Sequence, residues 1–265
     1  MVTVEDRFPK VRNGLLNPKV VTAGEGPPVV FLHGAGGLRW DGFLDDLSSE
    51  YRVYAPVHPG LHDPDDIRKI DTLWDLVLYH YDLFDALGLE SPAVIGHSYG
   101  GMLAAEVASS NPERVSKLAL MNPVGFWLDE HPVLDWTAMS PQDLVNACFA
   151  DPEGELAKSF MAAPEDEEEF KDYTIARTWA IACTSKFTWP IPDKGLKNRI
   201  YRVSAPALVV WGRQDDLVPP EYAREFSGGM VNTTVRTEIF DGAGHFPQME
   251  QREKVSGLVK EFLRS

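Results

Sequence analysis

The segment "AVIGHSYGGMLAAEVA" (93–108) constrains the fold more than any other. Ala93, Val94 and Ile95 form a short apolar run of the kind that fills a strand buried on both faces. Tyr99 to Ser110 reads as a helix rich in Ala, Met and Leu, and Asn111-Pro112 ends it. Only a sharp turn at Ser98 can join the two, and Gly96 and Gly100 remove the side chains that would obstruct it. G-H-S-Y-G therefore reads as a nucleophile elbow, which lifts the serine hydroxyl above a sheet. The N–H of Tyr99 is left at a helix start, where it can stabilise an oxyanion.

Strands and helices alternate along most of the chain. "PPVVFLHG" (27–34), "YRVYAPV" (51–57), "KLALMNP" (117–123), "PALVVWG" (206–212) and "RTEIFDGAGH" (236–245) carry the remaining strands. Trp40, Phe43, Leu44 and Leu47 recur at helical spacing, and 71–87 is a longer helix stopped by Gly88. Val255, Leu258, Val259, Phe262 and Leu263 give the closing helix its apolar face. This order predicts an α/β fold, a parallel sheet with helices on both faces. Residues 124–203 break the rhythm. Ser140-Pro141-Gln142-Asp143 starts a helix, and further helices are expected at 153–161 and 165–183. The expected organisation is a core of 1–123 and 204–265 with a helical cap at 124–203.

A serine hydroxyl needs a base, and the base needs a carboxylate to orient it. Downstream of Ser98 the candidate bases are His131, within the insertion, and His245, in the glycine-containing loop "DGAGHFP" just past the last strand. Loops at the carboxyl ends of parallel strands are where such sheets place their chemistry, which favours His245. "VVWGRQDDLVPP" offers Asp215 and Asp216 as the acid. Two adjacent acids cannot both face one imidazole, and Asp215 is preferred. Asn122 also follows a strand but is an amide. The run "LHGAGG" (32–37) exposes backbone N–H groups, with Ala35 as the second oxyanion donor and Gly36 behind it.

Four separately placed segments in this order identify a resemblance. His33-Gly34-Ala35-Gly36-Gly37, Gly96-His97-Ser98-Tyr99-Gly100-Gly101, Gly212-Arg213-Gln214-Asp215 and Gly244-His245 make the chain similar to the α/β-hydrolase family over nearly its whole length. The resemblance implies a mostly parallel central sheet, with a helical cap between its sixth and seventh strands. It also implies hydrolysis through an acyl-enzyme without metal or organic cofactor. Haloalkane dehalogenases and epoxide hydrolases of this fold use an aspartate nucleophile, and Ser98 argues against both. "HGAGG…W" further resembles hydrolases that cleave carbon–carbon bonds in ring-fission products, although Gly37 stands where those usually carry proline.

Composition closes off other classes. A formal charge of −15 over 265 residues argues against nucleic acid and anionic membrane as partners. No apolar run is long enough to span a bilayer and the first ten residues carry no signal pattern, so a cytoplasmic location is expected. Cys148 and Cys183 are expected as buried free thiols. His58, His62, Asp63, Asp65 and Asp66 cluster in sequence, but Pro59 and Pro64 break the run and no metal is expected there.

The insertion holds Trp127, Trp136, Trp179 and Trp189, an aromatic surplus that suggests the wall of an apolar substrate pocket. The leading expectation is a serine carboxylesterase acting on a small apolar or aromatic ester. Alternatives are a carbon–carbon bond hydrolase or lactonase on the same three residues, and a small-molecule receptor that keeps the fold. The intact set of three disfavours the receptor. A homodimer is compatible with this reading.

Overall fold

The computed structural model describes residues 2–190 and 192–265. Eight strands form one sheet: β1 (Glu5–Arg7), β2 (Val20–Ala23), β3 (Pro28–Leu32), β4 (Arg52–Pro56), β5 (Ala93–His97), β6 (Lys117–Met121), β7 (Ala207–Gly212) and β8 (Val235–Phe240). Their order across the sheet is β1-β2-β4-β3-β5-β6-β7-β8. From β4 to β8 all pairings are parallel, whereas β1–β2 and β2–β4 are antiparallel. The two N-terminal strands are the elements that the alternating pattern did not predict. They have three and four residues, too short to show a period, and β1 is exposed throughout.

The central strands are apolar on both faces because both faces are covered. Alternate residues of β3 and β5 divide between two layers, as the two-residue period of a strand requires. Phe31 and Ile95 face α1 (Gly42–Ser48) and the closing helix α9 (Arg252–Arg264), meeting Phe43, Leu47, Val255 and Val259. Val30, Leu32 and Val94 face the opposite layer of α2 (Leu73–Ala86), α3 (Tyr99–Ser110) and α7 (Tyr222–Gly229). The middle helix α3 is buried from Tyr99 to Ser109.

Between β6 and β7 the described residues form three further α-helices, α4 (Pro141–Cys148), α5 (Glu155–Met161) and α6 (Glu167–Thr188). Ser140 accepts from Asp143 N at the start of α4, and Asp166 caps α6 by accepting from Glu168 N and Glu169 N. A short α8 (Pro247–Glu250) follows β8. No helix among the described residues is long and apolar enough to cross a membrane.

Candidate active site

The turn after β5 takes the form the glycines imply. Ser98 has φ 56° and ψ −119°, outside the regions a serine ordinarily occupies. The fold holds it there by close approach: a Cβ on Gly100 would collide with the carbonyl of Leu32, and one on Gly96 with the carbonyl of Gly100. Ser98 N donates to Met121 O at 3.0 Å, tying the turn to β6.

Asp215 and His245, the expected acid and base, lie on the loops after the two strands beyond β6. Asp215, 1% exposed, follows β7; His245, 2% exposed, follows β8. His245 Nδ1 lies 2.8 Å from Asp215 Oδ2. The same oxygen accepts from Asn122 Nδ2 at 2.5 Å, and Oδ1 accepts from Leu217 N at 3.0 Å and Val218 N at 2.9 Å. Three other donors hold this carboxylate as an acceptor, and towards His245 it accepts likewise, with Nδ1 donating. That fixes the proton on Nδ1 and leaves Nε2 as a free acceptor. Nε2 is buried and has no hydrogen-bond partner among the described residues. Ser98 and His245 line one cavity, and the Ser98 hydroxyl makes no hydrogen bond to Nε2 in this arrangement. The neighbouring Asp216 is exposed, and His131 is exposed in the segment before α4.

The backbone N–H groups of Ala35 and Tyr99 donate to no protein acceptor among the described residues. Ala35 and Gly36 line the same cavity as Ser98. Their loop is clamped from beneath by two buried histidines. His58 N donates to His33 Nε2 at 3.2 Å, which makes His33 Nδ1 the protonated nitrogen, and that nitrogen donates to Gly34 O at 2.8 Å. His58 Nε2 donates back to His33 O at 2.8 Å. The bond accepted at His33 Nε2 needs a neutral His33 ring, and neutral rings spare the core two buried charges. Burial supplies them: it pushes His33 well below its usual range and His58 down to about 4. The sequence cluster at 58–66 is thereby divided, with His58 facing His33 and Asp63 accepting from Asp65 N to cap a short turn. Among the described residues, no three His, Cys, Asp or Glu side chains gather as a metal-binding group.

The cavity has a volume of about 470 Å³. Leu61, Leu144, Phe160, Ile181 and Leu217 give it apolar walls. Of the four tryptophans, Trp136 lines it. Trp127 and Trp189 line a second cavity of about 80 Å³ that shares Trp136 with the first. Trp179 donates through Nε1 to Gly60 O at 2.7 Å, tying α6 to the loop after β4. Two cations also reach the main cavity, Arg39 beside the glycine-rich loop and Arg177 on α6. Arg39 stands over the Phe160 ring, 5.2 Å from its centre. Arg177 donates to Tyr173 OH at 3.1 Å. Neither forms an ion pair among the described residues. No local pattern in the sequence distinguishes these two arginines from surface ones.

Comparison with known proteins decides the family. Residues 27–251 match the model of the α/β hydrolase fold. The chain belongs to the α/β-hydrolase family. A 2-hydroxy-6-oxononadienedioate/2-hydroxy-6-oxononatrienedioate hydrolase of Pseudomonas putida is 30% identical, over 97% of this chain and 96% of the relative. A 2-hydroxy-6-oxo-6-phenylhexa-2,4-dienoate hydrolase of Comamonas testosteroni is 27% identical, over 91% of this chain and 89% of the relative. Among solved structures, a 2-hydroxy-6-oxo-6-phenylhexa-2,4-dienoate hydrolase from Rhodococcus superposes over 100% of both chains with a TM-score of 0.71 at 24% identity. Naproxen esterase from Bacillus subtilis superposes over 99% of this chain and 92% of its own, with a TM-score of 0.64 at 22% identity. At those identities the superpositions speak for the fold. This α/β-hydrolase thus resembles in sequence enzymes named as hydrolases of oxo-dienoates and oxo-dienedioates, which shifts the weight away from the carboxylesterase expectation.

Proposed function

We propose that this hydrolase cleaves a carbon–carbon bond beside a ketone in a small acidic dienoate, using Ser98 as nucleophile, His245 as base and Asp215 as orienting acid. The observation that carries this reading is Arg177, with Arg39 on the wall of the same cavity. The chain carries 40 acidic against 25 basic residues, yet two arginines without carboxylate partners line the cavity that holds Ser98 and His245. A substrate carboxylate supplies the missing partner, and a neutral ester does not. The relatives named above act on dienoates or dienedioates, which carry such a carboxylate.

The chemistry follows from the placements. His245 Nε2 removes the Ser98 proton as Oγ attacks the ketone carbon, and the resulting oxyanion turns to the N–H groups of Ala35 and Tyr99. The bond to the neighbouring carbon then breaks. For this the dienol must first move its 2-hydroxyl proton to the carbon beside the ketone, giving a 2-oxo-3-enoate. The electron pair then flows through the alkene into the 2-oxo group of the acid held by Arg177, and that oxygen takes the proton from the His245 imidazolium. Water, deprotonated by His245, releases the acyl group from Ser98. Ester hydrolysis runs through the same steps with an alkoxide leaving, and the apolar walls of the cavity also suit an aryl or alkyl ester. The ester reading leaves both arginines without a charged partner.

Replacing Arg177 separates the two readings. Arg177→Met is expected to lower kcat/KM for a ring-fission dienoate about 10- to 100-fold, the worth of one charge-assisted contact. Hydrolysis of a neutral p-nitrophenyl ester should change little. An equal loss on both substrates, or a wild-type enzyme that turns over only neutral esters, would defeat the acidic-substrate proposal.

A further inference from the structure

The mount of His245 is not built from the sheet alone. His245 N donates to Cys148 O at 2.6 Å, and Cys148 is the last residue of α4. The preceding carbonyl, Ala147 O, accepts from Asp216 N and Leu217 N, both at 3.1 Å. A helix ends with carbonyls that have no partner within the helix. Here those carbonyls are satisfied by the two loops that carry Asp215 and His245. The approach is close enough to dictate a residue type, since a Cβ on Gly244 would collide with the carbonyl of Cys148.

One side chain crosses this junction. Glu250, at the end of α8, accepts from Gly244 N through Oε2 at 2.7 Å and from Ala150 N through Oε1 at 2.8 Å. One oxygen therefore holds the residue before His245, and the other holds the strip of chain just past α4. Glu250 is partly buried and forms no ion pair among the described residues. Burial pushes its carboxyl above the usual range. A half-buried carboxylate with no cation is costly unless its hydrogen bonds are needed where they are.

We infer that Glu250 is a positioning residue, a brace that fixes the His245 loop against the end of α4 and so aligns His245 Nε2 with Ser98. The first helix of the insertion is then part of the catalytic mount. Substrate entry is left to α5 and the exposed first half of α6. This inference rests on the assignment of Ser98 as nucleophile and His245 as its base.

The test uses a reaction that needs no natural substrate. The rate at which a fluorophosphonate labels Ser98 is measured for the wild type, E250Q and E250A, each corrected for its folded fraction by circular dichroism. A displacement of the base by an ångström is worth about 10²-fold in rate, so E250A should label about 10²-fold more slowly. E250Q retains one acceptor and should fall between the two. On any ester or dienoate that the wild type turns over, kcat should fall while KM stays within about twofold, because Glu250 touches no substrate. Unchanged labelling in folded E250Q and E250A overturns the inference while leaving the nucleophile assignment standing. So does a loss that merely tracks loss of folded protein in both variants. A wild type that does not label at all removes the nucleophile assignment and this inference with it.

Discussion

Helices α3 and α6 show how differently the two sides of the cavity are held. In α3, which carries the elbow, every residue from Tyr99 to Ser109 is buried. In α6, which carries Arg177 and spans 22 residues, only Ala180, Cys183, Thr184, Phe187 and Thr188 are buried, all in its second half. Phe170 and Ile175 in its first half stand 50% and 56% exposed. The proposed reacting groups thus sit on packing that cannot yield, since a buried Ser98 at positive φ needs neighbours on every side to stay there. The opposite wall of the cavity, where the proposed substrate carboxylate would lie, is a helix anchored at one end. Lys186 Nζ donates to Ile67 O and Ile70 O, and Trp179 to Gly60 O, all three contacts lying in the anchored part. Precision belongs to the sheet side and adaptability to the insertion.

The largest expected effect lies on the rigid side. Asp215→Asn should lower kcat by roughly 10⁴-fold, because an amide holds the wrong imidazole tautomer. Asp216→Asn should leave kcat almost unchanged, since Asp216 is exposed and binds α4 through its backbone N–H. Steady-state rates of the two variants on one substrate decide the matter. Comparable losses in both would mean that the acid loop is registered differently.

Stability in acid should also divide the two regions. His33, His58, His80 and His97 are all buried on the sheet side, and burial depresses all four, His58 to about 4 and His80 and His97 to about 3. Unfolded, each titrates near 6.5. The folded protein then binds fewer protons than the unfolded chain between those values, so stability falls as pH drops from about 6.5 towards 4. A series of melting temperatures across that window should show the decline. Neither His80 nitrogen has a partner among the described residues, so His80→Leu should flatten the slope while leaving neutral-pH stability near that of the wild type. A melting temperature independent of pH over this range would contradict the neutral-histidine description of the core.

The smallest effect is expected on the adaptable side. Trp136 separates the main cavity from the smaller one, so Trp136→Ala should join them and move preference towards bulkier substrates. The gain per extra buried methylene is about 0.8 kcal/mol, a few-fold in kcat/KM. Trp179→Ala should act differently, loosening α6 from Gly60 and raising KM across all substrates alike. A chain-length profile unchanged in Trp136→Ala would mean that this indole is not a wall.

The same contrast explains what the sequence discloses. The elbow, the glycine-rich loop and the His245 loop are legible because each is a local device, a strand followed by residues that only a particular turn accepts. The pairing of Asp215 with His245 is legible because an acid and a base of this kind follow each other in a known order. The links between these segments are not. Glu250 meets Ala150 across 100 positions of chain, and His97 Nε2 donates to His245 O across 148. Neither contact leaves a periodic or compositional trace. Asn122 illustrates the middle case. Its place after β6 is visible in sequence, but its role as a donor to Asp215 Oδ2 depends on a left-handed φ of 45° that no neighbour announces. In the insertion, four tryptophans suggest a pocket wall. Which of them faces the cavity is set by tertiary packing, and Trp136 alone among them lines the space beside Ser98.

The most direct test of carbon–carbon cleavage at Ser98 is to incubate the enzyme with 2-hydroxy-6-oxo-6-phenylhexa-2,4-dienoate, the substrate named for two of its relatives. Decay of the conjugated dienoate absorbance and release of benzoate are followed together. The wild type should convert the dienoate stoichiometrically to benzoate. Folded Ser98→Ala should be slower by about 10⁴- to 10⁶-fold, the loss expected when the nucleophile of such a set is removed. Benzoate released by Ser98→Ala within tenfold of the wild-type rate, or a wild type that hydrolyses aryl esters and leaves the dienoate intact, would contradict the account.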